Sequence, residues 1–295
     1  MTNPSIKTAA ILGAGAMGAG IAQVAAQAGI RTRLFDIEES FARKGMERIT
    51  AMLDKGVAKG KMEASKRDEV LSLLEPSWNL EEAVAGVDLV IEAAPEKLDL
   101  KQDIFKRVAA VVDEQCLIAT NTSSLSVTEL GSVVNASERF LGLHFFNPPP
   151  LMKLLEVVRG ADTSEATVER ALELAERMGK SPIVVADAPG FASSRLGVAL
   201  GLEAIRMVEE GVASPADIDT AMELGYRHPM GPLKLTDLVG LDVRLHISEY
   251  LADNLDDTRF KAPELMRKMV EAGEVGKKVG KGFYDWSDGT PKPRS

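Results

Sequence analysis

Three places in this chain have the residue types and spacing for chemistry. The first is Gly13-Ala14-Gly15-Ala16-Met17-Gly18, which ends a short apolar run and opens a stretch of small, helix-forming residues up to Ala28. The second is a polar run, Asn121-Thr122-Ser123-Ser124, at the end of CLIAT. The third is His144 at the end of FLGLH, with Glu156 in the following apolar run KLLE. A G-x-G-x-x-G between a strand and a helix suits a dinucleotide pyrophosphate. Gly13 permits the tight turn, Gly15 lets phosphate approach bare backbone, and Gly18 lets the helix pack closely on the strand. The backbone of Ala16 and Met17 completes the loop. Asp36, at the end of the next apolar run, stands where an acid accepts both ribose hydroxyls of NAD and repels the 2′-phosphate of NADP. Arg31 and Arg33 precede it, so the preference for NAD competes with two nearby cations.

His144, His228 and His246 are the only histidines. Imidazole is the side chain whose ordinary pKa best suits a general base near neutrality. His228 falls in the loop Arg227-His228-Pro229-Met230, and His246 falls in a helical pattern. His144 ends a strand, where doubly wound sheets bind ligands. On position alone a structural histidine remains slightly the better reading. Glu156 is placed to accept the imidazole proton, or equally to form an ordinary surface ion pair. Glu96, after VIEAAP, is a further polar residue beyond a strand end.

The elements that must position these groups alternate. Strand patterns at Thr8–Leu12, Thr32–Asp36, Asp88–Ala93, Cys116–Thr120, Phe140–His144, Leu154–Val158 and Pro182–Ala186 are separated by helical patterns. That alternation predicts a mostly parallel sheet covered on both faces. Between the second and third of these strands, helices at Glu38–Lys55 and Ser65–Leu74 are expected to project as a pair. From Arg43 to Glu69 the chain carries eight Lys/Arg against five Asp/Glu. By composition alone this reads as a solvated face, the alternative being a landing site for a phosphorylated ligand. Beyond Asp187-Ala188-Pro189-Gly190 only helices are expected, at Phe191–Glu210, Ser214–Leu224, Pro232–Asn254 and Pro263–Ala272. The expected tail is a glycine-rich loop and a frayed terminus. The fold class is therefore α/β, a Rossmann-type doubly wound sheet with a projecting helical pair over 1–187, followed by an all-α domain over 188–295.

The chain has 295 residues and a formal net charge of −9, which argues against a nucleic-acid or anionic-membrane surface. No apolar run reaches a membrane span, and MTNPSIKT lacks the pattern of a signal peptide. The single cysteine, Cys116, reads as a small buried apolar residue in a reducing, cytoplasmic setting. No metal-ligand spacing appears.

Taken together, Gly13–Gly18, NTSSL at 121–125, HFFNPPPLMKLLEVV at 144–158, DAPGF at 187–191, HPMGPLKLTDLVGLD at 228–242 and GKKVGKGFYDW at 276–286 closely resemble the 3-hydroxyacyl-CoA dehydrogenase family. Within it the chain is most similar to the short bacterial 3-hydroxybutyryl-CoA form. The resemblance implies NAD-dependent, reversible oxidation of an (S)-3-hydroxyacyl-CoA, the chemistry of fatty acid metabolism and beta-oxidation. It implies a homodimer formed through the helical domain, with acyl-CoA as the small-molecule partner. His144 is then the general base, Glu156 its orienting acid, and Ser123 the hydrogen-bond donor to the reacting oxygen. Glu96, Lys101, Asn147 and Lys278 fall on cofactor contacts, with Asn121 beside them, and Lys55 or Lys59 on contacts to the CoA phosphates. One departure stands out: the family places an asparagine before Arg195, and this chain has Ser194. A serine has one donor where the amide has two, which puts full activity in question. The competing readings are a dehydrogenase of a 3-hydroxy acid not joined to CoA, and an NAD-binding relative that has lost turnover.

Overall fold

The computed structural model describes residues 5–294. Met1–Pro4, part of the stretch read above for targeting, and the terminal Ser295 lie outside the described residues. The chain divides into two compact units, one ending at Ala188 and the other starting at Pro189.

The first unit is built on one eight-stranded sheet. Its strands are β1 (Thr8–Leu12), β2 (Arg31–Phe35), β3 (Leu74–Ser77), β4 (Leu89–Glu92), β5 (Leu117–Thr120), β6 (Phe140–Phe145), β7 (Leu154–Arg159) and β8 (Ser181–Ala186). They lie in the order β3-β2-β1-β4-β5-β6-β7-β8, and every neighbouring pair is parallel except β6 with β7. Helices α1 (Ala16–Gln27), α2 (Glu39–Ala58), α3 (Ala64–Ser72), α4 (Leu80–Val84), α5 (Leu98–Ala109), α6 (Val127–Gly131) and α7 (Glu165–Arg177) connect them. The strand order reverses between β1 and β4. A crevice opens at the carboxyl ends of such a pair, because the connections leave in opposite directions.

Every residue of β4 and β5 is buried, which is why these strands read as apolar runs interrupted only by their last residues, Glu92 and Thr120. β3 was not expected. Its four residues, LEPS, hold too short an apolar signal, and its proline is tolerated because the strand is an edge. The helix expected to run to Leu74 ends instead at Ser72. The α2–α3 pair buries Ala42, Ile49, Leu53 and Val70 and leaves most of its charges exposed.

The second unit contains α8 (Ser193–Glu209), α9 (Pro215–Thr220), α10 (Pro232–Val239), α11 (Leu241–Leu255), α12 (Glu264–Glu271) and a short antiparallel pair, β9 (Tyr284–Asp285) with β10 (Lys292–Pro293). The single helix expected over 232–254 is two. Gly240 adopts φ +106°, a conformation closed to other residues and incompatible with a continuing helix. The tail is more ordered than a loop with a frayed end. Phe283 N, Tyr284 N and Trp286 Nε1 all donate to the buried Asp237 carboxylate, at 2.9, 2.9 and 2.8 Å. Tyr284 Oη donates to the equally buried Asp219 at 2.7 Å. The aromatic bodies fill the core of this unit while their polar edges satisfy two buried acids. Among the described residues, no helix is long and apolar enough to cross a membrane.

Candidate active site

The crevice begins where β1 delivers the chain to Gly13 at φ +108°. A Cβ there would stand 2.7 Å from Ala93 O, and one at Gly18 only 1.7 Å from Gly13 O. A Cβ at Gly15 would meet nothing within 4 Å, so its backbone borders open space. Helix α1 starts at Ala16 with no side-chain cap. The first-turn amides of Ala16, Met17 and Gly18 and the positive end of the helix dipole therefore face an uncrowded backbone cradle, which fits an anionic diphosphate.

Asp36 follows β2 at its carboxyl end. Its Oδ2 accepts from Ala14 N and its Oδ1 from Ile37 N, both at 2.8 Å, so the acid is locked beside the glycine loop. The two arginines that complicate the sequence reading point elsewhere. Arg31 starts β2 at the opposite end, and Arg33 Nη1 donates to the carbonyls of Glu82 and Ala85, both at 2.9 Å. Neither stands beside Asp36 to offset the repulsion of a 2′-phosphate.

Because β6 and β7 are antiparallel, His144 lies directly opposite Glu156 in the register. Its Nδ1 is 2.7 Å from Glu156 Oε2, with the histidine 7% exposed and the acid fully buried. A carboxylate can only accept, so the proton sits on Nδ1 and the lone pair on Nε2. An imidazole held in this way has one tautomer fixed and a buried carboxylate beside it. Asn121 Oδ1 accepts from Phe145 N at 2.9 Å, tying the polar run after β5 to the strand that carries His144.

Glu96 organises that polar run. Its Oε1 accepts from Thr122 Oγ1 at 2.5 Å and Ser123 N at 2.9 Å, with Ser124 N at 3.2 Å and Ser123 Oγ at 3.4 Å. Burial pushes the Glu96 carboxyl upward, but the Lys101 ammonium and these donors outweigh it and hold the group below its usual range. Lys101 is only 1% exposed. Its Nζ lies 2.5 Å from Glu92 Oε1, 3.1 Å from Ala94 O and 3.3 Å from Glu96 Oε2. The sequence reading passed over Glu92. The signal was present, since an acid within the apolar strand LVIE needs a buried partner.

Asn147 opens the loop Asn147-Pro148-Pro149-Pro150, which borders a groove of about 370 Å³ against α1 and α2. Gly20, Arg48, Met52 and Lys55 line the same groove. Lys55 thus lines the groove; Lys59, the residue after α2, is exposed and is not part of that lining. Ser194 lies in the first turn of α8, and Lys278 Nζ is 2.5 Å from Asp242 Oδ2; both belong to the second unit. Asp187 accepts from Ser126 Oγ, Val127 N and Thr128 N at 2.8 to 3.0 Å, which gives it a structural task at the start of α6. Cys116 is buried, and burial pushes its thiol up to about 12, leaving it unreactive.

Comparison with known proteins agrees with this architecture. Residues 8–188 match the model for the 3-hydroxyacyl-CoA dehydrogenase NAD binding domain, and residues 190–286 match that for the 3-hydroxyacyl-CoA dehydrogenase C-terminal domain. A probable 3-hydroxybutyryl-CoA dehydrogenase of Bacillus subtilis is 44% identical over 285 residues, covering 97% of this chain and 99% of the relative. A 3-hydroxybutyryl-CoA dehydrogenase of Clostridioides difficile is 40% identical over 94% of this chain and 99% of its own. The crystal structure of (S)-3-hydroxybutyryl-CoA dehydrogenase PaaH1 from Ralstonia eutropha superposes with a TM-score of 0.92 at 40% identity, over 95% of this chain and 99% of that one. With an NAD-binding crevice and a two-part match along nearly its whole length, the chain belongs to the 3-hydroxyacyl-CoA dehydrogenase family.

Proposed function

We propose that this enzyme interconverts a short-chain (S)-3-hydroxyacyl-CoA, 3-hydroxybutyryl-CoA in the first instance, and its 3-ketoacyl-CoA. The observation that carries the reading is the buried His144–Glu156 pair at 2.7 Å, at the end of a strand tied to the loop of Ser123. NAD, when bound, supplies the hydride acceptor. His144 Nε2 takes the proton of the 3-hydroxyl as the C3–H bond gives up its hydride and the C3–O bond becomes a carbonyl. Glu156 stabilises the imidazolium that forms, and the Ser123 hydroxyl donates to the reacting oxygen. Asn121, Glu96 and Asn147 shape the cofactor side of the site. The groove beside α2 takes the pantetheine arm of the substrate, with Lys55, which lines it, serving the CoA phosphates in preference to Lys59.

Ser194 takes the place of the family asparagine, so Ser194→Asn is expected to raise turnover. The second unit exposes Leu196, Leu238, Val239 and Val243, apolar side chains that a second copy of the chain would cover. We place the enzyme as a cytoplasmic homodimer.

The deciding assay follows loss of NADH absorbance with acetoacetyl-CoA, beside free acetoacetate and beside NADPH. CoA-dependent, NADH-selective turnover that His144→Ala abolishes is the expected result. NADH binding without turnover of any ketone, or turnover that survives His144→Ala, overturns it.

A further inference from the structure

The loop over 147–152, which borders the groove beside α1 and α2, contains three consecutive prolines, Pro148, Pro149 and Pro150. Proline has no N–H, so the main chain of such a stretch can be tied down only through its carbonyls, and a carbonyl needs a donor from elsewhere. Lys180 is that donor. Its Nζ donates to Pro149 O at 2.5 Å and to Met152 O at 2.9 Å, and the residue is only 9% exposed. We propose that Lys180 is a positioning residue for the substrate: it sets the proline wall of the groove, and with it the seat of the pantetheine arm, without touching the reacting atoms.

Topology brings Lys180 to this loop. β7 and β8 run against the other strands, so the turn from α7 into β8 emerges at the end of the sheet where β6 delivers His144. Gly179 makes that turn at φ +69°, and Lys180 follows it. Ser181 N donates to Lys153 O at 2.8 Å, which pins the main chain next to the lysine. On its other side the Pro149 ring lies against α1, where a Cβ at Gly20 would stand 2.7 Å from Pro149 Cδ. Pro149 is therefore held between Gly20 and Lys180, and both Gly20 and Pro149 line the groove. Burial lowers the pKa of Lys180 with no ion pair to oppose it. Burying an ammonium that no carboxylate neutralises is costly. A methionine would fill the same space without that cost, but it could not hold two carbonyls.

The inference deepens the function proposed above and rests on it for what the groove holds. The test compares wild type with Lys180→Met, which keeps the unbranched stem and removes the donors. Two substrates are used: acetoacetyl-CoA, and the acetoacetyl thioester of N-acetylcysteamine, which carries the reacting group but lacks most of the arm. The KM for acetoacetyl-CoA should rise about fivefold or more, with kcat and the NADH Kd each within about threefold of wild type. For the short thioester kcat/KM should stay within about twofold, since little of it reaches the proline wall. Amide hydrogen exchange gives a readout independent of turnover. Leu151 N and Met152 N both donate to Pro148 O, and their exchange should accelerate about tenfold or more while β1 and α1 keep their protection. Equal losses with the two thioesters, a weakened NADH Kd with KM intact, or unchanged exchange at 151–152 would overturn the proposal. Lys180→Gln, with a shorter stem and an uncharged head, serves with the same expected pattern if Lys180→Met does not fold. A wild type that does not turn over acetoacetyl-CoA refutes the proposed function and this inference with it, whereas normal turnover with unchanged loop exchange refutes this inference alone.

Discussion

Replacing Glu156 by glutamine isolates the electrostatic part of the proposed mechanism, because the amide has nearly the shape of the acid and lacks its charge. When His144 is protonated in the oxidation direction, the charge centres of imidazolium and carboxylate lie roughly 4 Å apart, given the 2.7 Å contact between Nδ1 and Oε2. At an effective dielectric of about 20 that attraction is about 4 kcal/mol. Glu156→Gln should therefore lower kcat for 3-hydroxybutyryl-CoA oxidation by up to about 10³-fold. The amide can also turn its NH₂ toward Nδ1, which moves the ring proton to Nε2 and removes the base altogether. Either effect acts after binding, so the NADH Kd should stay within about threefold of wild type. Stability should not fall, because a fully buried carboxylate is costlier to desolvate than an amide. The assay pairs steady-state oxidation with NADH fluorescence titration and thermal melting. A kcat within about tenfold of wild type in a folded, NADH-binding variant would refute the argument.

Three further outcomes follow from geometry. Asp36→Ala removes both the acid proposed to meet the ribose and the acceptor for Ala14 N, so NAD should bind more weakly and its advantage over NADP should narrow by about tenfold or more; cofactor titrations check this. Asp88 accepts from Lys7 N, Thr8 N and Thr8 Oγ1 at 2.8 to 2.9 Å. Partial burial raises its pKa, but these donors outweigh that and hold the carboxyl below its ordinary 3.8. Asp88→Asn should cost about 1–2 kcal/mol in urea melts at neutral pH. A lowered folded value means the contribution is complete above the unfolded pKa and lost as pH falls through the folded one, so the two proteins should converge in acid. Asp237→Asn turns one of the two carboxylate oxygens, which together accept three hydrogen bonds, into a donor facing main-chain N–H groups and Trp286, at about 2–4 kcal/mol. The expected signs are red-shifted Trp286 fluorescence and faster proteolysis after Gly280. An unshifted spectrum would show that the tail is held by packing alone.

Much of this protein is legible in one dimension because its signals are local. The glycine loop, Asp36 and the alternation of apolar runs depend on residues close in sequence, where backbone sterics and period alone decide the element. Strand ends were legible for the same reason, and with them the neighbourhood of Ser123 and His144. What no local signal carried was pairing. Glu156 could have been a surface ion pair until the antiparallel register of β6 and β7 set it opposite His144 in a fully buried position. Arg33 stays ambiguous beside Asp36 until the fold turns it to the end of α4. Glu92 and Lys101 are nine residues apart on a strand and a helix, and only packing makes them one buried pair. The aromatic tail looks like a loop because its order comes from Asp219 and Asp237, more than forty residues away. Sequence by itself determined the class of fold and the kind of chemistry. Tertiary structure decided which charges are buried together, because the cost of an unpaired buried charge is met only by partners that the completed fold brings within hydrogen-bond distance.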